Sequence, residues 1–504
     1  MKKMNIKIHV YIKLVVIGIF AAGIISCDEH FEEVNKNPNG IADVDPAYLF
    51  AQGARNSFRN GISGGYDYRV AAQLSHFYVG TQIDRTVDKY DQDLDGGSYE
   101  ALFGDEYRQK LKYYNEILML TAPGMEKENE FQYAVADVMA VLSYSILTDA
   151  YGSIPYFEGG FGNSNILSPV YDAQDIVYED MINRLTADIE TLKTAEGGVD
   201  LRNQDPVFQN DADRWLRFAN SLRFRLAMRM RHVEPTKAGS VIMACLNEPL
   251  MSEVFHNAVS INIDGGNSQL FSPWYSTFDF WNFRISDRVV DQLDSTNDPR
   301  LMIYAKPNRA GVYRGFINGL VDEIFGVEVN QDYSFPGDYL VSKNTNTYLM
   351  TAAEIAFLKA ECAVFGLGGL SSTDADALYR DGIKLTMERV GVADEDITAF
   401  LATPAASLSG TQEEQFEQIA TQLWLSFAPN FTEAYASIRR TGYPAIPKRD
   451  GITKTLGVTN GELPSRIIYP LTEKLTNEGN VSKAIDALGG VDELSARVWW
   501  DVRR

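Results

Sequence analysis

The sequence predicts a mainly α-helical protein in which helical hairpins support an irregular, loop-rich part. Three observations lead to this fold class. Short turns separate several helical stretches, which is typical of stacked hairpins of the tetratricopeptide kind. Residues 247–349 are rich in Gly, Asn, Pro and aromatic residues, with only short β-like runs such as Ala258–Ile263. Elsewhere apolar residues recur three or four positions apart, as in Trp215, Phe218, Ala219, Leu222, Leu226 and Met230.

Six stretches carry the strongest helical pattern. Helical periodicity begins near Pro46, and a second apolar stripe extends from Ala353 to Val364. No clean repeat of about 34 residues is visible, so any repetition is structural only. We predict helices at Glu130–Ala150, Asp172–Leu192, Asp211–Arg231, Thr351–Phe365, Asp374–Val390 and Glu413–Ser426.

The N-terminus has the features of a lipoprotein signal peptide. A segment with four lysines leads into an apolar run from Leu14 to Ile25, which is shorter than the roughly 20 residues of a membrane-spanning helix. The four residues that end at Cys27, Ile-Ile-Ser-Cys, follow the bacterial lipobox pattern. We therefore expect residues 1–26 to be removed and Cys27 to carry a diacylglyceryl group.

The charge of the chain excludes some classes of ligand. The formal charge is −22, and the loss of four lysines with the signal peptide leaves −26. Such a surface repels phosphate, so neither nucleic acid nor anionic lipid headgroups are expected ligands. No later stretch approaches 18 consecutive apolar residues, so the mature chain is expected to reach the membrane through its lipid anchor only.

The mature chain, residues 27–504, is expected to form a single body, since no linker or low-complexity segment divides it. Residues 27–46 are polar and predict an extended tether, whereas residues 247–349 predict the ligand-binding part because supported loops commonly carry binding residues. Once Cys27 is acylated, only Cys245 and Cys362 remain. For Cys362 a buried, reduced side chain is favoured over a disulfide with Cys245.

Nine short motifs follow one another along nearly the whole chain. Those at Asp149–Tyr156 (D-x-Y-G-x-I-P-Y) and Trp215–Arg223 (W-x-x-F-A-N-S-L-R) are the most distinctive. Together the nine resemble, in order, the motifs of the SusD/RagB family of outer-membrane nutrient-binding lipoproteins. The other seven are Phe31–Asn39, Asn297–Leu301, Ala353–Glu361, Tyr379–Ile383, Arg439–Pro444, Arg466–Pro470 and Val498–Trp500.

This resemblance implies a SusD-like fold with tetratricopeptide-like hairpins, in a lipoprotein of Bacteroidetes-type bacteria. It implies a lid-like role over a TonB-dependent transporter of the SusC type, with neither catalysis nor a required cofactor. Oligosaccharide binding for glycan uptake is the leading function that it implies. A peptide-binding member of the family and a surface-anchored hydrolase are the alternatives. Acidic residues soon after Cys27 resemble surface-export signals, so the anchored protein is expected to face the cell exterior.

Several shared motifs have a structural interpretation. Gly152 and Pro155 are typical of a helix end, because Gly adopts a left-handed conformation easily and Pro cannot continue a helix. Arg439, Arg440 and Arg466 are expected to pair with buried acids or to cap backbone carbonyls rather than to contact ligand.

No catalytic pattern is convincing. None of the histidines forms a closely spaced metal pair, and Gly61–Gly65, although it matches G-x-S-x-G, follows a polar stretch and favours a flexible loop. The acidic run that contains Asp91, Asp93 and Asp95 matches the first half of a calcium loop. Leu102 stands where a bidentate Glu is expected, so a solvated acidic turn is favoured and structural calcium is the alternative.

Ligand-binding residues are predicted in the loop-rich part. A sugar site needs flat aromatic rings beside polar side chains, and the segment with Trp274, Tyr275, Trp281 and Asn282 supplies both. Its Phe278, Phe280 and Phe283 lack a polar group and are expected in the core. A second candidate patch, which the fold could bring beside the first, contains Tyr66, Asp67 and Tyr78.

Overall fold

A computed structural model describes residues 44–58, 66–81, 87–92, 96–161, 166–260, 272–275, 283–320, 331–449 and 457–503. The predicted signal peptide, Cys27 and most of the predicted tether lie outside these residues. Residues 46–504 form one compact unit. The α-helices of the described part are α1 (Pro46–Ser57), α2 (Ala72–Leu74), α3 (Gly96–Asp105), α4 (Lys112–Thr121), α5 (Glu130–Tyr151), α6 (Gln174–Leu192), α7 (Ala212–Met230), α8 (Pro235–Leu246), α9 (Asp287–Ser295), α10 (Leu301–Tyr304), α11 (Asp338–Val341), α12 (Ala352–Phe365), α13 (Ser372–Val390), α14 (Asp394–Leu401), α15 (Gln412–Ser426), α16 (Phe431–Thr441), α17 (Leu471–Thr476) and α18 (Glu478–Ala487).

Short strands join the loop-rich part to the helices. Three antiparallel pairs are present in the described part: β1 (Tyr78–Val79) with β3 (Arg284–Ile285), β2 (Ala258–Ser260) with β6 (Thr347–Met350), and β4 (Ala305–Lys306) with β5 (Phe335–Pro336). Two π-helical segments, Tyr66–Ala71 and Glu106–Leu111, lead into α2 and α4, and Val254–His256 and Pro404–Ala406 form 3₁₀ turns.

All six predicted helices are confirmed, with ends that differ from the prediction by at most two residues. Local chemistry explains several of these boundaries. The Asn129 side chain accepts hydrogen bonds from two N–H groups in the first turn of α5, and Thr351 accepts one at the start of α12. The α5 helix ends at Gly152, which has φ 87°, a conformation that costs glycine little. The predicted helix-ending role of Gly152 is therefore confirmed.

Helices that are neighbours in sequence pack against each other. The α5 helix packs on α4 and α6, α7 packs on α6 and α8, and α12 packs on α13 and α15. The stripe that begins at Trp215 faces this packing: Trp215, Phe218 and Leu222 are fully buried, and Trp215 meets the Phe208 ring edge-on at 5.0 Å. Burial of such stripes between neighbours stabilises the hairpins.

The α5 helix is the central core helix of the described part. It is the one helix there with the length and composition to cross a membrane, but most of it is buried inside the protein. A helix that is apolar on all sides needs partners all round, which α4, α6 and α7 provide. The two cysteines are also buried and reduced, as predicted, and Cys362 Sγ lies 3.4 Å from Met228 Sδ.

The motif arginines have the predicted structural roles. Arg440 donates two parallel hydrogen bonds to Glu361, at 2.6 and 2.7 Å. Arg439 donates to the carbonyl of Asp149 at 2.7 Å, and Arg466 donates to the carbonyl of Tyr151 at 3.0 Å. Since α5 ends at Tyr151, these two arginines cap carbonyls that have no partner within the helix. The prediction for all three is confirmed.

Candidate functional site

The two patches predicted to bind ligand meet in the fold around Phe431, at the start of α16. The ring centroids of Tyr78 and Trp274 each lie 5.0 Å from that of Phe431, and both rings meet it edge-on. Next to them, the Asp67 carboxylate accepts hydrogen bonds from the backbone N–H and the hydroxyl of Thr432, both at 2.6 Å. The fold therefore joins segments that lie far apart in sequence.

Four of the predicted ligand-binding residues are buried, which contradicts the expected exposure of Trp274 and leaves Tyr66, Asp67 and Tyr78 little accessible surface for a sugar. The exposed fractions are 2% for Tyr66, 7% for Asp67, 0% for Tyr78 and 3% for Trp274. A sugar stacks only on an accessible ring face, and the pocket beside Asp67 and Trp274 has a volume of about 40 Å³, room for about three water molecules at most. The physical reason is that the rings of Tyr78 and Trp274 pack against Phe431 on α16 and the Asp67 carboxylate is hydrogen-bonded to Thr432.

Asp67 supports the first turn of α16. Its carboxylate bonds to Thr432 at the N-terminal end of that helix, where backbone N–H groups lack partners within the helix. Burial raises the pKa of Asp67 to about 6, although the hydrogen bonds from Thr432 oppose this shift. Burial also raises the pKa of the Tyr66 and Tyr78 hydroxyls. Burial therefore shifts each of these groups toward its neutral form, which the two tyrosines keep at neutral pH, whereas Asp67 becomes neutral only below about pH 6.

Tyr275 is the described candidate that keeps partial exposure. It is half-buried beside Trp274, with Lys343 Nζ 5.4 Å from its ring centroid. Trp281 and Asn282 lie outside the described residues, so their roles stay predictions. Phe283 is buried, as predicted for the core, while Phe278 and Phe280 also fall outside.

The metal-binding and nucleophile patterns are only partly within the described residues. Asp91 is half-buried, whereas Asp93, Asp95 and the Gly61–Gly65 loop lie outside. Among the described residues there is no group of three His, Cys, Asp or Glu side chains that could hold a metal ion. Calcium binding by the acidic run stays a prediction.

A cleft of about 490 Å³ lies elsewhere on the molecule, where three segments meet. One wall is the end of α3 with the π-helical turn that follows, the second is the turn after α5, and the third is the start of α17. Prolines and glycines supply much of the backbone surface. Its charged and aromatic lining consists of Glu100, Phe103, Asp105, Tyr107, Arg108 and Glu473.

Hydrogen bonds between distant segments fix the walls of this cleft. The Tyr107 hydroxyl donates to the carbonyl of Pro155 at 2.6 Å, and its ring lies 4.8 Å from that of Phe103. Glu100 accepts a hydrogen bond from the N–H of Leu471, and Glu473 accepts one at 2.9 Å from a tyrosine hydroxyl. These hydrogen bonds hold the wall with Glu100, Phe103 and Tyr107 against the walls with Pro155 and Glu473 before any ligand arrives.

Glycine at position 104 leaves room for the Arg108 side chain. The Arg108 side chain folds back and donates from Nε to the Gly104 carbonyl at 3.2 Å. A Cβ at position 104 would lie 2.3 Å from Arg108 Nη2, so any side chain there would displace the guanidinium from the cleft wall.

Sequence reasoning missed this cleft. Its walls come from residues 100–108, 155–160, 169 and 470–473, and the residues of the first wall follow an ordinary helical pattern. One signal was present: Pro155 and Pro470, both in the lining, each belong to one of the nine motifs. The convergence of two motifs on one surface is visible only in the fold.

Comparison with known proteins identifies similar chains. The model of a SusD-like family described as "Starch-binding associating with outer membrane" matches residues 38–470. A comparison with curated proteins gives no match. The family match agrees with the resemblance predicted from the nine motifs.

Solved structures share the fold over most of this chain. A chitin-binding protein has a TM-score of 0.79 and 26% identity, and the match covers 91% of this chain and 100% of that one. A chitin-binding SusD homologue from Flavobacterium johnsoniae has a TM-score of 0.77, 24% identity and coverage of 91% and 99%. A SusD homologue from Bacteroides ovatus has a TM-score of 0.78, 23% identity and coverage of 91% and 100%. The predicted mainly α-helical, SusD-like fold class is confirmed.

Proposed function

The chain belongs to the SusD-like family, and from this membership we propose that it binds an oligosaccharide at the outer membrane for uptake. The match of the family described as starch-binding over residues 38–470 carries the proposal. The similar chain at 26% identity, a chitin-binding protein, supports a glycan ligand. The proposal is binding without catalysis, because the family description names binding and no reaction.

We propose that Tyr275, Trp281 and Asn282 contact the sugar. Trp274 and Phe283 are buried, so both ends of the segment that carries these three residues are anchored in the core. Aromatic faces stack on the C–H faces of sugar rings, and an amide side chain exchanges hydrogen bonds with hydroxyls.

The test is calorimetric titration of the full-length protein in mild detergent with chitopentaose, maltopentaose and a peptide of similar length. Trp281→Ala should weaken sugar binding by about 1 to 3 kcal/mol, as loss of an aromatic stacking partner does, with an unchanged melting temperature. Tyr48→Ala is the matched control, because Tyr48 is an aromatic residue on α1 that is 60% exposed and belongs to neither predicted patch. Binding of the peptide alone, or release of shorter sugars, would overturn the proposal in favour of a peptide receptor or a hydrolase.

We propose that Cys27 anchors the protein by its lipid, with the body facing the cell exterior. Cys27→Ser should move the protein from the membrane fraction to the soluble periplasm, since one cysteine bears the whole attachment. Unchanged partitioning would contradict the anchor. Protease treatment of intact cells tests the orientation, and full protection of the protein would contradict surface exposure.

The partner that we propose is a TonB-dependent transporter of the SusC type. A lipid-tethered helical protein cannot by itself move cargo across a membrane, so uptake needs a channel. Affinity purification in mild detergent should recover a β-barrel transporter together with the protein. Repeated recovery of the protein without a β-barrel partner would contradict a stable complex.

A further inference from the structure

The cleft between α3, the turn after α5 and α17 combines aromatic rings with an excess of acidic side chains. Three carboxylates, on Glu100, Asp105 and Glu473, line it together with one guanidinium, on Arg108. The half-buried ring of Tyr107 supplies the aromatic surface, and the buried ring of Phe103 packs against it. The lining therefore has a formal charge of −2, counted as three acidic side chains against one basic side chain.

We propose that this cleft binds a cationic amino sugar, namely glucosamine units with free amino groups in a partly deacetylated chitin-type oligosaccharide. The proposal rests on the proposed glycan-binding function and adds a second site with its own selectivity. An amino sugar matches both features of the lining, because its ring has a C–H face for the half-buried Tyr107 ring and its ammonium group donates hydrogen bonds to carboxylates.

The carboxylates of Glu100 and Glu473 retain capacity for a ligand. Glu100 uses Oε1 to accept from the N–H of Leu471, and Glu473 uses Oε2 to accept from the Tyr171 hydroxyl. A carboxylate has about four acceptor positions, so these bonds orient each group without saturating it. Lys474, which directly follows Glu473, forms an ion pair with Asp492 at 2.6 Å and is not part of the lining.

The size and openness of the cleft suit a short saccharide. Its volume of about 490 Å³ lies within the range of roughly 300 to 1,000 Å³ found for small-molecule sites. A neutral sugar could use the aromatic rings but would gain nothing from the excess negative charge. A lysine side chain could use the charge but has no ring face for Tyr107. The amino sugar is favoured because it uses both.

The test compares the glucosamine pentamer with its fully N-acetylated form, chitopentaose, by calorimetric titration of the full-length protein at pH 6 and low salt. We expect the glucosamine pentamer to bind about tenfold more tightly, and we expect added salt to reduce this preference. Glu473→Gln should weaken binding of the glucosamine pentamer about fivefold, and Arg108→Ala should strengthen it, because the two changes alter the charge of the lining in opposite directions.

Controls separate charge from folding. Lys112→Ala removes a positive charge one helical turn from Arg108 but outside the lining, and should change affinity less than Arg108→Ala does. The amide of Glu473→Gln can still accept from Tyr171, so its melting temperature should match that of the wild type. If it does not, Glu100→Gln on the α3 wall provides a second variant in which to measure the affinity for the glucosamine pentamer.

Equal affinity for the two pentamers, or no effect of both carboxylate variants, would overturn the proposal. Equally tight binding of pentalysine that depends on Glu473 would overturn the sugar assignment. Failure of this proposal is distinguishable from failure of the proposed function. Neutral-sugar binding that depends on Trp281, in a protein whose amino-sugar binding ignores the cleft variants, would leave the proposed function standing. Amino-sugar binding that depends on Glu473, in a protein that binds no neutral sugar, would support the cleft and contradict neutral-sugar binding at the Trp281 segment.

Discussion

Glu361 on α12 is fully buried and connects three helices through two arginines. Its carboxylate accepts two hydrogen bonds from Arg440 on α16 and lies 2.7 Å from Nε of Arg231, at the end of α7. Burial raises the pKa of this carboxyl, but Arg440 and Arg231 outweigh burial and lower it to about 2. Against an ordinary value of 4.5 this corresponds to about 3 kcal/mol of favourable interaction.

Glu361→Gln should therefore destabilise the protein by about 3 to 5 kcal/mol at pH 7, because two buried guanidinium groups lose their counter-charge. Urea unfolding followed by tryptophan fluorescence measures this change. The control is Glu413→Gln, since Glu413 pairs with Arg503 but its side chain is 52% exposed, and its loss should cost less than about 1 kcal/mol.

The pH dependence gives a second measurement of the same interaction. Because the pKa of Glu361 is lowered on folding, its stabilisation is fully present above about pH 4.5 and is lost as pH falls toward 2. The difference between wild type and Glu361→Gln should thus be constant from pH 7 to 5 and smaller by about 1 kcal/mol at pH 3.5. A variant as stable as the Glu413→Gln control, or a difference that grows on acidification, would refute the reasoning.

Two further substitutions test the buried carboxyl of Asp67 and the contact of Gly382 on α13 with Phe357 on α12. Because the pKa of Asp67 is raised to about 6, its stabilisation is present below about pH 4 and lost as pH rises through 6. The stability of Asp67→Asn relative to wild type should therefore increase by up to about 3 kcal/mol between pH 4 and 7. Melting temperatures that change equally with pH in the two proteins would contradict this. A Cβ on Gly382 would lie 2.7 Å from the Phe357 ring, so Gly382→Ala should cost about 1 to 3 kcal/mol in urea unfolding. Gly479→Ala, with open space around it, is the control, and an equal effect at both glycines would contradict the packing argument.

The helices were predictable because the residues that determine a helix lie within it or next to its ends. The spacing of the apolar stripe that begins at Trp215 predicts α7, and Gly152 predicts where α5 ends. Both signals depend on residues only a few positions apart. The roles of Arg439 and Arg440 were predictable for a related reason. A guanidinium within a largely apolar helical body needs an acid or a carbonyl, whichever residue supplies it.

The ligand residues were not predictable in the same way, because exposure is a property of the tertiary structure. An aromatic and polar composition describes equally well a sugar platform and the contact that attaches loops to a helix. Trp274 and Tyr78 form a contact with a helix, because the ring centroid of Phe431 on α16 lies 5.0 Å from the ring centroid of each. Only the fold decides which face of a ring is covered.

The sequence by itself determined the helical class, the family resemblance and the structural roles of the motif arginines, because each follows from residue type and short-range spacing. Only the tertiary structure decided that Glu361 joins Arg440 to Arg231 and that Glu100 and Glu473 line one cleft. Those pairings depend on where the packing of apolar faces brings segments that lie tens to hundreds of positions apart, which no local pattern records.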